Sequence, residues 1–178
     1  SKTITPMGSR LLKTWICQPL KDIVKIQELQ NNVEKLVNDT FARSELATLL
    51  AQISDIQRLS SRMSNNSASP KDFLTLKTAL YALPRIVENA KTAGLDIFEE
   101  LEEKVPQLLE YADLIERTIS DNPPNLIKDG GVIKSGVDAT LDYLRDLMTN
   151  GEAWLKNFEE KERERTGINI LKIGYNRV

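Results

Sequence analysis

Apolar side chains recur at intervals of three and four along almost the whole chain, the spacing that lines one face of an α-helix. Leu11, Leu12, Trp15 and Ile16 share a face in a helix predicted over 7–17, after Pro6 and before Gln18-Pro19. Asp22 is placed to cap a second helix over 23–37, with Ile23, Ile26, Leu29, Val33, Leu36 and Val37 on its apolar side. Leu46, Leu49, Leu50 and Ile53 mark a third over 43–53, and Ile56, Leu59 and Met63 a short fourth. After the polar loop at 65–70, Ser69-Pro70 with Asp72 is a strong helix start: a serine N-cap, proline in the first turn, and an acid near the positive end of the dipole. That helix carries Phe73, Leu76, Leu80 and Leu83, and Pro84 is expected to kink or end it. A further helix over 85–92 stops at Gly94. Residues 95–119 read as helical, with a break or restart at Pro106, and Asp121-Asn122-Pro123-Pro124 is a stop. The stretch 125–136 has no helical period; Lys128-Asp129-Gly130-Gly131 reads as a turn, and Val132-Ile133 as a short extended piece.

The pattern changes at Val137. Leu141, Leu144, Met148, Gly151, Leu155 and Phe158 repeat at 3-4-3-4-3, a heptad seam over almost three heptads. So narrow a stripe suits a long helix paired with one partner helix. No matching seam follows in the remaining twenty residues, so the partner is expected to be an earlier helix, a second copy or, the favoured reading, sequence outside this chain. Trp154 flanks the seam and is expected to pack against that partner. Beyond Phe158 comes a run of alternating charge, Glu159 to Arg165, with Glu159/Arg163 at i,i+4 and Glu160/Arg163 and Glu162/Arg165 at i,i+3. Thr166-Gly167 ends the helix. Ile168, Ile170, Ile173 and Tyr175 alternate partially and read as one or two strands. A terminal strand is not stable alone, so the chain is read as cut mid-domain. The expected fold is mainly all-α: a multi-helical domain over 1–136, then a long helix and a short β segment over 137–178.

Several function classes are excluded on residue type. There is no histidine among the 178 residues, which removes the commonest general base and zinc ligand. The single cysteine, Cys17, has no partner for an internal disulfide and lies in the apolar run Trp15-Ile16-Cys17, so a buried structural thiol is expected there, with Trp15 in the core. One unpaired cysteine suits a reducing cytosol. No glycine-rich phosphate loop or dinucleotide fingerprint is present; Gly130-Gly131 is followed by Val-Ile, not Lys-Ser. No apolar run approaches a membrane-spanning length, and no basic-then-apolar leader is read, the first residue being Ser. With 40% apolar and 28% charged residues, the chain has the makings of a folded, helix-rich domain. The paired acids Glu99-Glu100 and Glu102-Glu103 are read as a solvated face.

Charge distribution says more than the net −2. Residues 85–116 hold nine acids against three bases, whereas 156–178 hold six bases against four acids. The C-terminal end is therefore the better candidate for a polyanion contact. Within it the Glu/Arg run is poor for phosphate, because each arginine's field is offset by a neighbouring glutamate. Lys172, Asn176 and Arg177 are better placed, with no acid between Ile168 and Val178.

Four stretches resemble the MutS family of DNA mismatch-recognition proteins. They are Thr5-Pro6-Met7-Gly8-Ser9-Arg10-Leu11-Leu12 continuing through Trp15 to Gln18-Pro19-Leu20; Asp55-Ile56-Gln57-Arg58-Leu59 with Ser61-Arg62 and Ala68-Ser69-Pro70; Asp129-Gly130-Gly131-Val132-Ile133 with Gly136, Asp138 and Leu141-Asp142; and Arg163-Glu164-Arg165-Thr166-Gly167-Ile168 with Leu171-Lys172-Ile173-Gly174-Tyr175-Asn176. In order and spacing they span nearly the whole chain. Leu29, Val137 and Thr140 depart from the family's usual arginine, tyrosine and glutamate. The resemblance, closer to bacterial-type members, implies a helical core to about residue 136, then the outgoing lever helix and first strands of a clamp. It implies that mismatched double-stranded DNA, ATP with Mg, and homodimerisation belong to an intact protein in the bacterial cytoplasm, through domains outside this chain. No catalytic residue, cofactor or metal is expected within the chain. Lys172, Asn176 and Arg177 become the candidate DNA-backbone contacts. The alternative is a helical scaffold that binds a partner protein through the 141–158 seam.

Overall fold

The computed structural model describes residues 2–174, and Asp96 only in its backbone. It divides after Lys134 into two units, treated separately below. The first holds α1 (Pro6–Cys17), α2 (Ile23–Asn38), α3 (Thr40–Leu50), α4 (Ile56–Ser64), α5 (Pro70–Thr92) and α6 (Glu99–Thr118). The second is α7 (Ala139–Thr166) with the segment after it.

Helix starts follow the side chains that cap them. Thr5, Asp22, Asp39, Asp55 and Ser69 each accept a backbone N–H from the first turn of the helix they precede. At Ser69 the exchange is reciprocal: Asp72 N donates to Ser69 Oγ at 3.3 Å and Ser69 N to Asp72 Oδ2 at 2.9 Å. Asp72 also receives Arg62 at 2.6 Å, tying the end of α4 to the start of α5.

The central element is α5. Ala79, Ala82, Ile86 and Ala90 face α3, where they form a cluster with Leu46, Leu49, Ile53 and Leu95. One residue further round, Leu80, Leu83 and Val87 face α6 and meet Val105 and Ala112. Ala79, Ala90 and Ala112 are wholly buried, so each marks a place where helix backbones approach closely. Burying each leucine stabilises by ~1.5–3 kcal/mol relative to exposure.

That double-sided packing explains a departure from the sequence reading. Pro84 does not end α5, and Pro106 does not break α6; both helices run through their prolines. Proline forfeits the hydrogen bond to the carbonyl four residues back, a cost of roughly 3 kcal/mol. Around Pro84 the buried Leu83, Ile86 and Val87 hold the helix on both neighbours and offset that cost. Polar bridges reinforce the α5–α6 pair. Lys77 contacts Glu116, Lys91 contacts Glu102, and the Tyr81 hydroxyl donates to Asp113 at 2.7 Å. The Asp113 carboxylate lifts the Tyr81 phenol to about 12 by holding its proton.

After α6 the chain loops and returns. Ser120 N donates to Val132 O and Lys134 N to Thr118 O, both at 2.8 Å, making an antiparallel bridge between Ile119 and Ile133. The turn at Gly130-Gly131 uses φ of 74° and 68°, a left-handed conformation disfavoured for residues with a Cβ. Nothing lies within 4 Å of a Cβ built at either glycine, so backbone conformation, not space, demands glycine there. Lys134 closes the loop on Asp121 at 2.8 Å and Glu116 at 3.6 Å.

The N-terminal helices behave otherwise than expected. No residue of α1 or α2 is fully buried. Trp15 is 40% and Ile16 73% exposed, and Cys17 is exposed, so the expected core tryptophan and buried thiol are corrected. Only Met7 and Leu36 from these helices pack on the α3–α5 cluster. Trp15, Ile26, Leu29, Val33 and Val37 instead line an open apolar groove. A helical period predicts a shared face but not what covers it.

Candidate nucleic-acid interface

Sequence reasoning placed the candidate contact at the C-terminal end, so its geometry starts with the helix that leads there. Asp138 caps α7 by accepting Leu141 N at 2.7 Å, and Asp142 accepts Gly136 N at 2.6 Å. The helix is not continuous. Asn150 leaves helical geometry, with φ −114° and ψ 21°, and its amide donates to Asp146 at 2.7 Å. Asn150-Gly151 pairs two poor helix formers, and its own unit holds no second helix to pack against it, so the helix bends where its propensity is lowest. The single long helix of the sequence reading is thus two helical segments joined at Asn150.

Within its own unit no second helix covers the seam residues of α7. Leu141, Gly151 and Leu155 are half-buried, Leu144 and Phe158 exposed, and Met148 88% exposed. Trp154 stacks on Phe158, with ring centroids 5.1 Å apart and planes 6° from parallel. The indole therefore covers the end of the seam from within its own helix.

The Glu/Arg run divides in two. Glu162 and Arg165 form an exposed pair at 2.7 Å, which lowers the Glu162 pKa and raises that of Arg165. Glu159 and Arg163 do more than pair along the helix. Gly167 ends α7 in the left-handed conformation at φ 70°, its N–H bonded to Arg163 O at 2.9 Å. The chain then turns, with Leu171 N donating to Ile168 O at 3.2 Å. Arg163 Nε donates to Leu171 O at 2.8 Å, and Glu159 Oε2 accepts Ile173 N at 2.9 Å. The other Glu159 oxygen meets Arg163 at 2.5 Å. Leu171 and Ile173 are half-buried, and Lys172 between them is exposed. Charge alternation marked the run only as poor for phosphate; the signal for this grip was an i,i+4 pair followed directly by a glycine stop and an alternating segment.

Of the candidate contacts, Lys172 is therefore presented to solvent from a held backbone, while Asn176 and Arg177 lie outside the described residues. Over the described residues the expected strand is corrected: Ile168 to Gly174 form a turn and irregular chain, with no strand among the described residues, and Tyr175 lies outside them. A strand needs a neighbour to satisfy its N–H and C=O groups, and no neighbouring strand faces this segment there.

In the first unit, two of the noted stretches meet. Arg10 from α1 grips Asp55 with both terminal nitrogens, each at 2.7 Å, and reaches Gln57 at 2.6 Å. Arg58 adds a longer contact to Asp55 at 3.4 Å. These cations and the capped Arg58 N–H hold the Asp55 carboxylate at about 2. The Arg10–Asp55 fork docks α1 on the start of α4. In the same helix start, a Cβ at Gly8 would come to 3.1 Å from the Thr5 cap hydroxyl.

Glu99, Glu100 and Glu103 are exposed, and Glu102 pairs with Lys91. Among the described residues no group of three or more Cys, Asp or Glu is arranged to hold a metal ion. No helix among them is long and apolar enough to cross a membrane.

The family model for MutS domain III matches residues 1–172. The chain belongs to the MutS domain III family. Relatives named DNA mismatch repair protein MutS bear this out. That of Caldanaerobacter subterraneus subsp. tengcongensis is 41% identical over 177 residues, covering 99% of this chain and 20% of that protein. Those of a Geobacillus species and Halothermothrix orenii are each 40% identical over 99% of this chain, which covers 21% and 20% of them. The chain thus spans about one fifth of the length of the curated relatives it matches. The Arg10–Asp55 fork, the Gly130-Gly131 turn and the Arg163–Gly167 helix end lie in the stretches that resemble the MutS family, all within the matched residues 1–172.

Proposed function

We propose that this chain is the helical core and outgoing lever of a mismatched-DNA-binding protein, ending in the part of a clamp that touches the DNA backbone. Residues 1–136 act as the core, and 137–178 as the lever and the start of the clamp. The observation that carries the reading is the match to MutS domain III over residues 1–172, a stretch that includes Lys172 on its held, solvent-facing segment. In this reading ATP and Mg bind elsewhere in the intact bacterial protein, which dimerises through its other domains. This segment has no phosphate loop and performs no chemistry of its own. Its work is mechanical: a helical element jointed at Asn150 passes the state of a distant nucleotide site to a clamp, and the clamp grips phosphates without reading bases.

The test is reversal of charge at Lys172 and Arg177 in the intact protein, with affinity for mismatched duplex measured from about 50 to 200 mM salt. Each lost phosphate contact reduces the slope of log affinity against log salt by about 0.9. An unchanged affinity and slope rules both residues out.

A second reading, a helical scaffold for a partner protein, draws on the bare seam, above all Met148. The oligomeric state of the isolated segment separates it from the first.

A further inference from the structure

Lys172 is a flexible side chain on an irregular segment just beyond a helix end, a poor platform for a phosphate contact unless its backbone is held. Two side chains of α7 hold it, one on each side. Arg163 Nε donates to the carbonyl of Leu171, and Glu159 Oε2 accepts the amide of Ile173. The grip is directional, because an arginine only donates and an ionised glutamate only accepts. The two grips are linked by the Glu159–Arg163 ion pair, which restrains both side chains and reduces the entropy each loses on binding the segment. With Leu171 and Ile173 turned inward and half-buried, the residue between them is turned outward.

The geometry points to Glu159 and Arg163 as a backbone latch that positions Lys172 for DNA. This rests on the DNA-backbone reading of Lys172 given above. The latch residues touch no phosphate themselves; they are positioning residues. Their pair is neutral, so its loss costs affinity without removing a counterion-releasing contact.

Two variants of the intact protein test this, both with unchanged net charge. Glu159→Ala with Arg163→Ala removes the latch while leaving good helix formers in place. Glu159→Arg with Arg163→Glu keeps an i,i+4 ion pair on α7 but exchanges donor for acceptor, so neither backbone group finds its partner. The readouts are amide hydrogen exchange over residues 168–174 and the salt dependence of affinity for mismatched duplex. Both variants are expected to speed exchange at Ile173 and to weaken binding roughly three- to tenfold, with the salt slope unchanged. Lys172→Ala, by contrast, is expected to lower the slope by about 0.9. If the exchanged pair behaves as the unmodified protein does in both readouts, the pair serves only the helix and the latch is overturned. Faster exchange with unchanged affinity, alongside an effect of Lys172→Ala, overturns the positioning role. If Lys172→Ala changes neither affinity nor slope, the DNA reading of Lys172 fails, while faster exchange in the two variants still establishes the latch.

Discussion

Asp55 shows how much a single carboxylate decides in this chain. It caps α4, accepts both arms of Arg10, and so connects the first helix to the fourth. Its pKa is lowered from 3.8 to about 2, with the Arg10 hydrogen bonds as the largest cause. A depressed carboxylate contributes stability that is fully present above its unfolded pKa and is lost as pH falls through the folded one. The contribution is therefore whole at pH 5 and above and disappears between about pH 4 and pH 2. Asp55→Asn is expected to lower the thermal midpoint at neutral pH, and the gap from the unmodified chain is expected to close as pH approaches 2. A gap constant over that range would show that the fork does not stabilise the fold. Tyr81 runs the opposite way. Its hydrogen bond to Asp113 persists through neutral pH and is lost only as the phenol ionises toward 12.

Among the elements, α5 and α7 make opposite cases. Two prolines lie within packed helices without breaking them, whereas one asparagine bends a helix that has no second helix beside it in its own unit. Packing against neighbouring helices decides the first case, on both sides for α5 and on α5 for α6, and intrinsic propensity, left alone, the second. Gly151 has no left-handed φ and nothing within 4 Å of a Cβ, so alanine fits there. Gly151→Ala with Asn150→Leu is expected to straighten α7, to raise its helicity by circular dichroism, and to stabilise it by about 0.5–1 kcal/mol. Lower helicity would mean that the bend is imposed by structure and not by these two residues. The caps of α2 and α5 were legible because Asp22 and Ser69-Pro70 announce themselves by type. The second face of α5 was not, since Ala79, Ala82 and Ala90 carry little hydrophobic signal and matter only because a neighbour approaches closely.

On the scale of the whole molecule, the described residues leave two apolar surfaces bare: the groove of Trp15, Ile26, Leu29, Val33 and Val37, and the seam around Met148. The chain covers about one fifth of the MutS relative from Caldanaerobacter subterraneus, and in the proposed reading the covers come from the rest of the intact protein. The scaffold reading predicts a tight dimer of the isolated segment by sedimentation, broken by Met148→Asp. The lever reading predicts a monomer whose sedimentation Met148→Asp leaves unchanged, and which binds duplex at low salt.

Local chemistry was written in the sequence by itself: helical period, caps, the Gly130-Gly131 turn, the absence of histidine and phosphate loops, and the stretches that mark a MutS domain III. Each depends on residues close in the chain or on residue type alone. Tertiary structure alone decided the rest. Prolines were tolerated where neighbours held the helix, Trp15 and Cys17 stayed exposed because no described residue covers that end of α1, and no strand formed among the described residues without a neighbouring strand. An alternating Glu/Arg run became a grip on Leu171 and Ile173. Except for that grip, whose partners lie near in the chain, the outcome depends on which groups meet across the fold, and meetings between distant residues are not encoded in local spacing.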